Sequence, residues 1–521
     1  MKTPITRRDA LRLSLVTATG VALGGSLASC SSPSGSGAGG EGGSGGILRF
    51  ALTDSGQGEV LDPALVKYSS EIIYCGQIYD SLTRSDANFQ VQPSLATDWE
   101  ANDDGTEWTF HLREGVVFHD GSPFTANDVA FSVTRILDPA LGSQSYARLA
   151  PSMDPEGVTV VDDHTITFTL KRPDSLLPNA LSERSCKIVK DGTEEFTVET
   201  AVGTGPFKIT SWTPGQQWEL AKNEDYWEAG LPYLDGVKAV VLAEQATKLQ
   251  SLRSGQFDIV DAIGFTSAAQ VEGDEKVALV SMENRSCWTF AMDTRMAPFN
   301  EDPRIAQAMK LAQDRDLMVQ TAFLGFGTTT ADVPVASESP FYPSSLDGSQ
   351  NIEKAKELLA EAGYPDGIDI ELNTTAESAG MLDIATTLQE VVKPAGIRIQ
   401  IKQHSGAAYW DNAYRKTAMF QDYINARHPV DMLTLFYVSD ADLNYTGIQD
   451  AELDALVAEV LATPDEEART PIIQQAMERV ASEFSYAMPA FSSATWATGT
   501  NVNGLELSNT DMAVFKEIRL S

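Results

Sequence analysis

Polar and apolar residues alternate in two stretches of the first half of the chain. Trp108, Phe110 and Leu112 interleave with Thr109, His111 and Arg113, and Ile166, Phe168 and Leu170 repeat the pattern. A period of two predicts half-buried strands, the first following an Asp104-Gly105 turn. Between them Val129, Val133 and Ile136 recur at helical spacing. Thr125 precedes that run, Asp128 stands three residues on and Pro139 closes it, which are start and stop signals for a helix. Gly203-Thr204-Gly205-Pro206-Phe207 demands special backbone angles. In the second half, Asn351 is placed to cap a helix carrying Ala355, Leu358, Leu359 and Ala362, ended by Gly363 and Pro365. Ile368, Ile370 and Leu372 predict a strand, residues 382–392 a helix, and Ile397, Ile399 and Ile401 another strand. That order implies a parallel pair with a right-handed crossover. Met432 to Phe436 reads as strand-like, and residues 451–462 and 465–484 as amphipathic helices. The class is α/β with extra antiparallel strands early on, and no repeat of 20–50 residues is evident.

The N-terminus follows a different pattern. Thr6-Arg7-Arg8-Asp9-Ala10-Leu11-Arg12 precedes an apolar run, Leu13 to Leu27, diluted by Ser, Thr and Gly. That suits a cleaved export signal better than a spanning helix. Leu27-Ala28-Ser29-Cys30 is similar to a bacterial lipobox, which implies lipidation at Cys30 and a signal peptide over residues 1–29. Residues 30–46 are nearly all Gly and Ser, a flexible tether reaching about 22 Å.

A length of 521 residues predicts two or three domains. Lys and Arg number 38 and Asp and Glu 73, so the formal net charge is −35. Such a surface argues against nucleic acid and anionic lipid as partners. Cys75, Cys186 and Cys287 lie more than 100 residues apart, which excludes a zinc-finger framework. One disulfide with a free thiol and three buried thiols both remain open. His111, His119, His164, His404 and His428 form no close metal pair, so no metal site and no cofactor is expected. No Gly-x-Ser-x-Gly elbow occurs. Asp103/Asp104 and Asp162/Asp163 read as solvated turn residues rather than a glycosidase pair.

Several blocks, in order, carry a family resemblance. They include Leu61-Asp62-Pro63, Ile78-Tyr79-Asp80-Ser81-Leu82 and Pro93-Ser94-Leu95-Ala96-Thr97-Asp98-Trp99. Thr109-Phe110-His111-Leu112-Arg113-Glu114-Gly115-Val116-Val117-Phe118-His119-Asp120-Gly121 follows, with Phe124-Thr125-Ala126-Asn127-Asp128-Val129. Gly203-Thr204-Gly205-Pro206-Phe207, Asn223-Glu224-Asp225-Tyr226-Trp227 and Gly255-Gln256-Phe257-Asp258 continue the series. It ends with Ala312-Gln313-Asp314-Arg315 and Ala355-Lys356-Glu357-Leu358-Leu359-Ala360-Glu361-Ala362-Gly363-Tyr364. Together these resemble the extracellular solute-binding proteins of the oligopeptide, dipeptide and nickel class (family 5), which serve ABC importers.

The resemblance implies a two-lobed periplasmic-binding-protein-like fold of the class II type, with an extra subdomain in the N-terminal lobe. Lobe I is then expected over residues 47–285 and 492–521, and lobe II over 286–491. The implied role is capture of an oligopeptide or another polar solute between the lobes by a monomer. The solute is handed outside the cytoplasmic membrane to a permease, with transport energy from the importer's ATPase subunits and no catalytic residue in this chain. A secreted carboxylate-dependent hydrolase and a receptor presenting its closed form to a membrane sensor are the alternatives.

Peptide-binding members pair an aspartate with the peptide ammonium in a Gly-Trp-x-x-Asp-Tyr-x-x-Pro-like segment. The nearest segment here runs from Gln421 to Pro429 and puts Asn425 at that position, with Asp422 reached by a shifted register and Tyr423 and His428 beside it. Asn lacks the charge for an ammonium partner. Trp288 and Phe290 follow the first lobe crossing and offer flat faces for stacking. Gly203 and Thr204 offer backbone amides. Tyr68 and Ser69 fall where the family has a cleft-lining loop, and Arg427 with His428 offers charge to a ligand carboxylate.

Overall fold

The structure, a computed structural model, describes residues 45–521 except 54, 87, 88, 243 and 377. The export signal, Cys30 and nearly all of the tether lie outside the described residues. Among the described residues no helix is long and apolar enough to cross a membrane.

An eleven-stranded sheet runs through the molecule. From one edge it passes through Ile397–His404, Ile368–Thr375, Met419–Asn425, Val277–Met292 and Tyr486–Gly499. It continues through Ile259–Val260, Ile47–Leu52, Gly236–Val241, Gln217–Lys222 and Phe207–Thr213, and Gly327–Thr329 pairs beside Tyr486–Gly499. Two strands are far longer than the rest, Val277–Met292 with 16 residues and Tyr486–Gly499 with 14. They pair antiparallel from Val277↔Gly499 to Met282↔Ala494, and pairing resumes at Ser286↔Ser492. Glu283, Asn284 and Arg285 therefore stand against Ser493 alone, and Asn284 takes a left-handed φ of 55°. A bulge of this kind bends the strand and increases its twist.

The bulge separates two apolar bodies. On one side Phe50, Ile73, Phe207 and Trp218 form a core that includes Trp496. On the other, Trp288, Phe290, Leu388 and Ile397 form a second core. The first body carries a separate four-stranded antiparallel sheet of Ala96–Ala101, Glu107–Leu112, Thr165–Leu170 and Met153–Asp162. Trp108, Phe110, Leu112, Ile166 and Phe168 are buried in it, as their alternation predicts. The helix Ala126–Ile136 covers this sheet, and Asp128 accepts the Thr125 N–H at 2.8 Å.

In the second body the predicted crossover is present. Ile368–Thr375 and Ile397–His404 are parallel, Ile368 opposite Ile397, with Met381–Val391 as the connecting helix. Asn351 Oδ1 accepts the Lys354 N–H at 3.0 Å and starts Ile352–Glu361. Residues Ala451–Leu461 and Glu466–Glu483 are the two later helices.

One predicted element is corrected. Met432 to Phe436 belongs to a helix, Pro429–Phe436, not a strand. A short apolar run cannot be assigned by period, and Pro429 at the first helical position presets the helical φ. Of the two cysteine readings left open, the structure shows three buried free thiols, Cys75, Cys186 and Cys287.

Candidate binding site

A cavity of about 550 Å³ opens where the two bodies meet at the bulge. The first body supplies Lys67, Ser69 at the start of helix Ser69–Ile78, and Trp496, and Phe265 reaches the cavity while packing on the second core through Phe323. The second supplies Tyr423 and Asn425, and the bulge itself supplies Arg285 and Ser493. Arg184, following the short helix Leu177–Ala180, closes one end.

Strand alternation decides which residues of Met419–Asn425 reach this cavity. Side chains two apart share a face, so Tyr423 and Asn425 line the cavity together while Asp422 turns to the other face. There the Asp422 carboxylate accepts the Tyr414 hydroxyl at 2.9 Å and the Tyr423 N–H at 2.8 Å. Burial pushes its pKa up to about 6, outweighing those bonds. Asn425 Oδ1 accepts the Ser286 hydroxyl at 3.1 Å, which leaves its NH2 as the group available to a ligand.

The electrostatics of the cavity are dominated by guanidinium groups. Arg285 is 8 % exposed, and its Nη1 donates to the Asn509 carbonyl at 3.3 Å. Burial, reinforced by Arg184 and Arg427, lowers its pKa to about 10. Burial also lowers the pKa of Arg184, and Arg427 adds to the effect. Arg427 has Glu183 at 3.8 Å. Among the described residues neither Arg184 nor Arg285 forms an ion pair within 4 Å.

Other residues singled out in the sequence are placed elsewhere. Gly203 and Thr204 do not line the cavity. The Gly203 N–H donates to His119 Nδ1 at 3.3 Å, and a Cβ there would sit 2.0 Å from the Ile78 carbonyl oxygen. Thr204 is buried and donates its hydroxyl to Asp80 at 2.9 Å. Both hold a loop against the end of helix Ser69–Ile78, because the backbone approaches too closely for any other use. Phe290 is fully buried in the second core. Trp288 packs against Phe323 and Tyr423, with its indole N–H on Ser492 at 2.8 Å, and so backs the cavity wall rather than facing it. The Tyr68 ring lies against Gly56, where a Cβ would be 2.4 Å from it. His428 is buried as the cap of Pro429–Phe436, its Nδ1 accepting the Val430 N–H at 3.3 Å. Burial, with Arg469 and Arg148 nearby, lowers its pKa to about 3. Ser69, Tyr423 and Asn425 thus remain at the cavity.

Sequence reasoning missed Lys67, Arg184, Phe265 and Trp496, which come from separate segments. Arg285 carried a signal, since the crossing was expected there, and Lys67 a weaker one as the neighbour of Tyr68 and Ser69.

Three comparisons bear on this arrangement. Residues 90–444 match the family described as Bacterial extracellular solute-binding proteins, family 5 Middle. The chain is 27% identical over 434 residues to heme-binding protein A of Haemophilus influenzae, covering 77% of this chain and 79% of that one. It is 28% identical over 352 residues to the glutathione-binding protein GsiB of Pectobacterium atrosepticum, covering 66% of each. The crystal structure of the ABC transporter substrate-binding protein CtaP from Listeria monocytogenes superposes with a TM-score of 0.81 at 22% identity, covering 92% of this chain and 100% of that one. The chain belongs to family 5 of the bacterial extracellular solute-binding proteins. It has their two-lobed α/β fold and serves as the substrate-binding protein of an ABC importer.

Proposed function

We propose that this protein captures an oligopeptide or similar polar solute in the 550 Å³ cavity, without chemical change, and passes it to a permease. The single observation that carries the reading is a cavity walled by both bodies at the bulge of the two connecting strands. Contacts to both walls exist only when the bodies are together, so a bound solute favours the closed form by their differential free energy. The register break supports a hinge there, with lobe I over residues 47–285 and 492–521 and lobe II over 286–491. Tyr423, Asn425 and Ser69 contact the solute in this reading, and the relatives named for heme and glutathione fit a pocket of this size class. A hydrolase with two cleft carboxylates is disfavoured, since among the described residues no aspartate or glutamate lines the cavity. The tether and a lipid on Cys30 keep the monomeric protein at the outer face of the cytoplasmic membrane.

The test is a thermal-shift screen against peptides, sugars and metal chelates, with the ligand recovered and weighed by mass spectrometry. A binding solute raises Tm by mass action and is recovered intact. Asn425→Ala removes most of that shift while leaving unliganded melting nearly unchanged. A recovered product of altered mass contradicts the reading.

A further inference from the structure

The charge of the cavity runs against the charge of the chain. The protein carries 73 acidic residues against 38 basic ones. Among the described residues, those lining the cavity include Lys67, Arg184 and Arg285 and not one carboxylate. Arg285 is 8 % exposed, and its Nη1 donates to the Asn509 carbonyl at 3.3 Å and to Asn509 Oδ1 at 3.5 Å. Arg427 stands close enough to both Arg184 and Arg285 to disfavour their charge. Glu183 sits 3.8 Å from Arg427 and partly offsets the cost to Arg184 and Arg285, without an ion pair to either within 4 Å. Asp511, the other acid near Arg184, is bound to Lys187 at 2.7 Å. A buried guanidinium without a carboxylate is costly, and an acidic chain has carboxylates in surplus. Among the described residues, buried Arg469 and Lys310 also lack a carboxylate within 4 Å, but they donate to two or more backbone carbonyls each; what sets Arg184 and Arg285 apart is that they border a cavity.

We infer that the captured solute carries a carboxylate, and that Arg184 and Arg285 together receive it. This rests on the proposed capture of a solute between the two bodies. The guanidinium fork matches a carboxylate with paired, charge-assisted hydrogen bonds. Lys67 adds charge at the rim, and the Asn425 NH2 adds a donor. The apolar part of the solute rests on Phe265, Trp496 and Tyr423. A solute's free ammonium finds no counter-ion among the described lining residues, because Asp422 is turned away and bonded to Tyr414. The ligand class is an amphipathic organic anion, and a peptide qualifies by its C-terminal or side-chain carboxylate rather than by its N-terminus.

The purified full-length protein is dialysed against equimolar pools, and retained compounds are identified by mass spectrometry. The pools are tetrapeptides with free C-termini, their N-acetyl forms, their C-terminal amides without acidic side chains, small organic acids, and neutral oligosaccharides. Carboxylate-bearing compounds are retained at least tenfold over amides and neutral sugars, and N-acetylation leaves retention unchanged. Arg184→Gln and Arg285→Gln each lower retention at least tenfold. Equal retention of amides or sugars, or loss on N-acetylation, overturns the inference and leaves capture standing. Retention of nothing from any pool overturns capture itself. Arg285→Met separates ligand contact from folding: without ligand it melts at the wild-type temperature or above, because an unneutralised buried charge is removed. A lower melting temperature assigns Arg285 to the fold and overturns its role here.

Discussion

Arg148 ties the two bodies together, and removing it has a calculable consequence. Its Nε donates to Asp431 at 2.6 Å, at the start of Pro429–Phe436, while Nη1 and Nη2 donate to Asp174 at 2.6 and 3.1 Å. The side chains of Arg148, Asp174 and Asp431 are 16, 2 and 7 % exposed. Arg148→Met leaves two buried carboxylates with no cation between them. Asp174 keeps the Ser152 hydroxyl at 3.0 Å and the Leu176 N–H at 3.1 Å. Breaking a buried pair in this way costs about 3–5 kcal/mol. The cost is pH-dependent, and its sign follows from the two carboxyls. In the wild type, burial raises the Asp174 pKa, but the Arg148 charge and the hydrogen bonds more than offset it, so the value lies below the ordinary one. Stability from Asp174 is thus present above the ordinary carboxylate pKa and is lost as pH falls through the depressed value. Asp431 stays above its ordinary value, since burial outweighs Arg148. In Arg148→Met both carboxyls lie high and take up protons first, so the deficit narrows from about pH 7 to about pH 5. Urea unfolding followed by tryptophan fluorescence measures it at constant m. Adding Asp431→Asn to the variant restores at least about 1 kcal/mol by removing one stranded charge. A variant within about 1 kcal/mol of wild type at neutral pH, or a deficit that ignores pH, refutes the reasoning.

Three further outcomes are expected. Asp422→Asn raises stability at about pH 7.5 relative to wild type and does little at about pH 4. The wild-type carboxyl, raised to about 6, makes stability fall as pH rises from its ordinary value through 6; parallel pH–stability curves for the two proteins contradict this. Gly203→Ala destabilises by about 2 kcal/mol or more, because its Cβ would press on the Ile78 carbonyl at 2.0 Å. Solute affinity of the folded fraction is unchanged, and a selective affinity loss would return Gly203 to the site. Cys30→Ser moves the protein from the membrane to the soluble fraction of fractionated cells; unchanged membrane recovery counts against lipid anchoring.

Much of the fold was legible because its signals are local. The alternation at Trp108 to Leu112, the Thr125–Asp128 capping and the crossover from Ile368 to Ile401 each need only a few neighbouring residues. Pro429–Phe436 escaped because the short, mostly apolar run Met432 to Phe436 has no distinguishing period. The site was less legible because it is assembled by tertiary approach. Tyr423 and Asn425 share a face by strand alternation, a rule that could have set Asp422 aside from sequence alone. Arg184 lies in Ser182-Glu183-Arg184-Ser185, which has neither period nor motif, and only the meeting of two bodies gives it meaning. Gly203 was expected to offer its backbone amide to a ligand, but that N–H goes to His119. The close approach there is to the Ile78 backbone.

A crystal structure of the protein with a solute retained from the mixed pools tests the central claim most directly. The account predicts one intact solute inside the cavity, touching Tyr423 or Asn425 on one body and Ser69 or Trp496 on the other, with a carboxylate on Arg184 and Arg285. A solute seated on one body alone, or found cleaved, would contradict it.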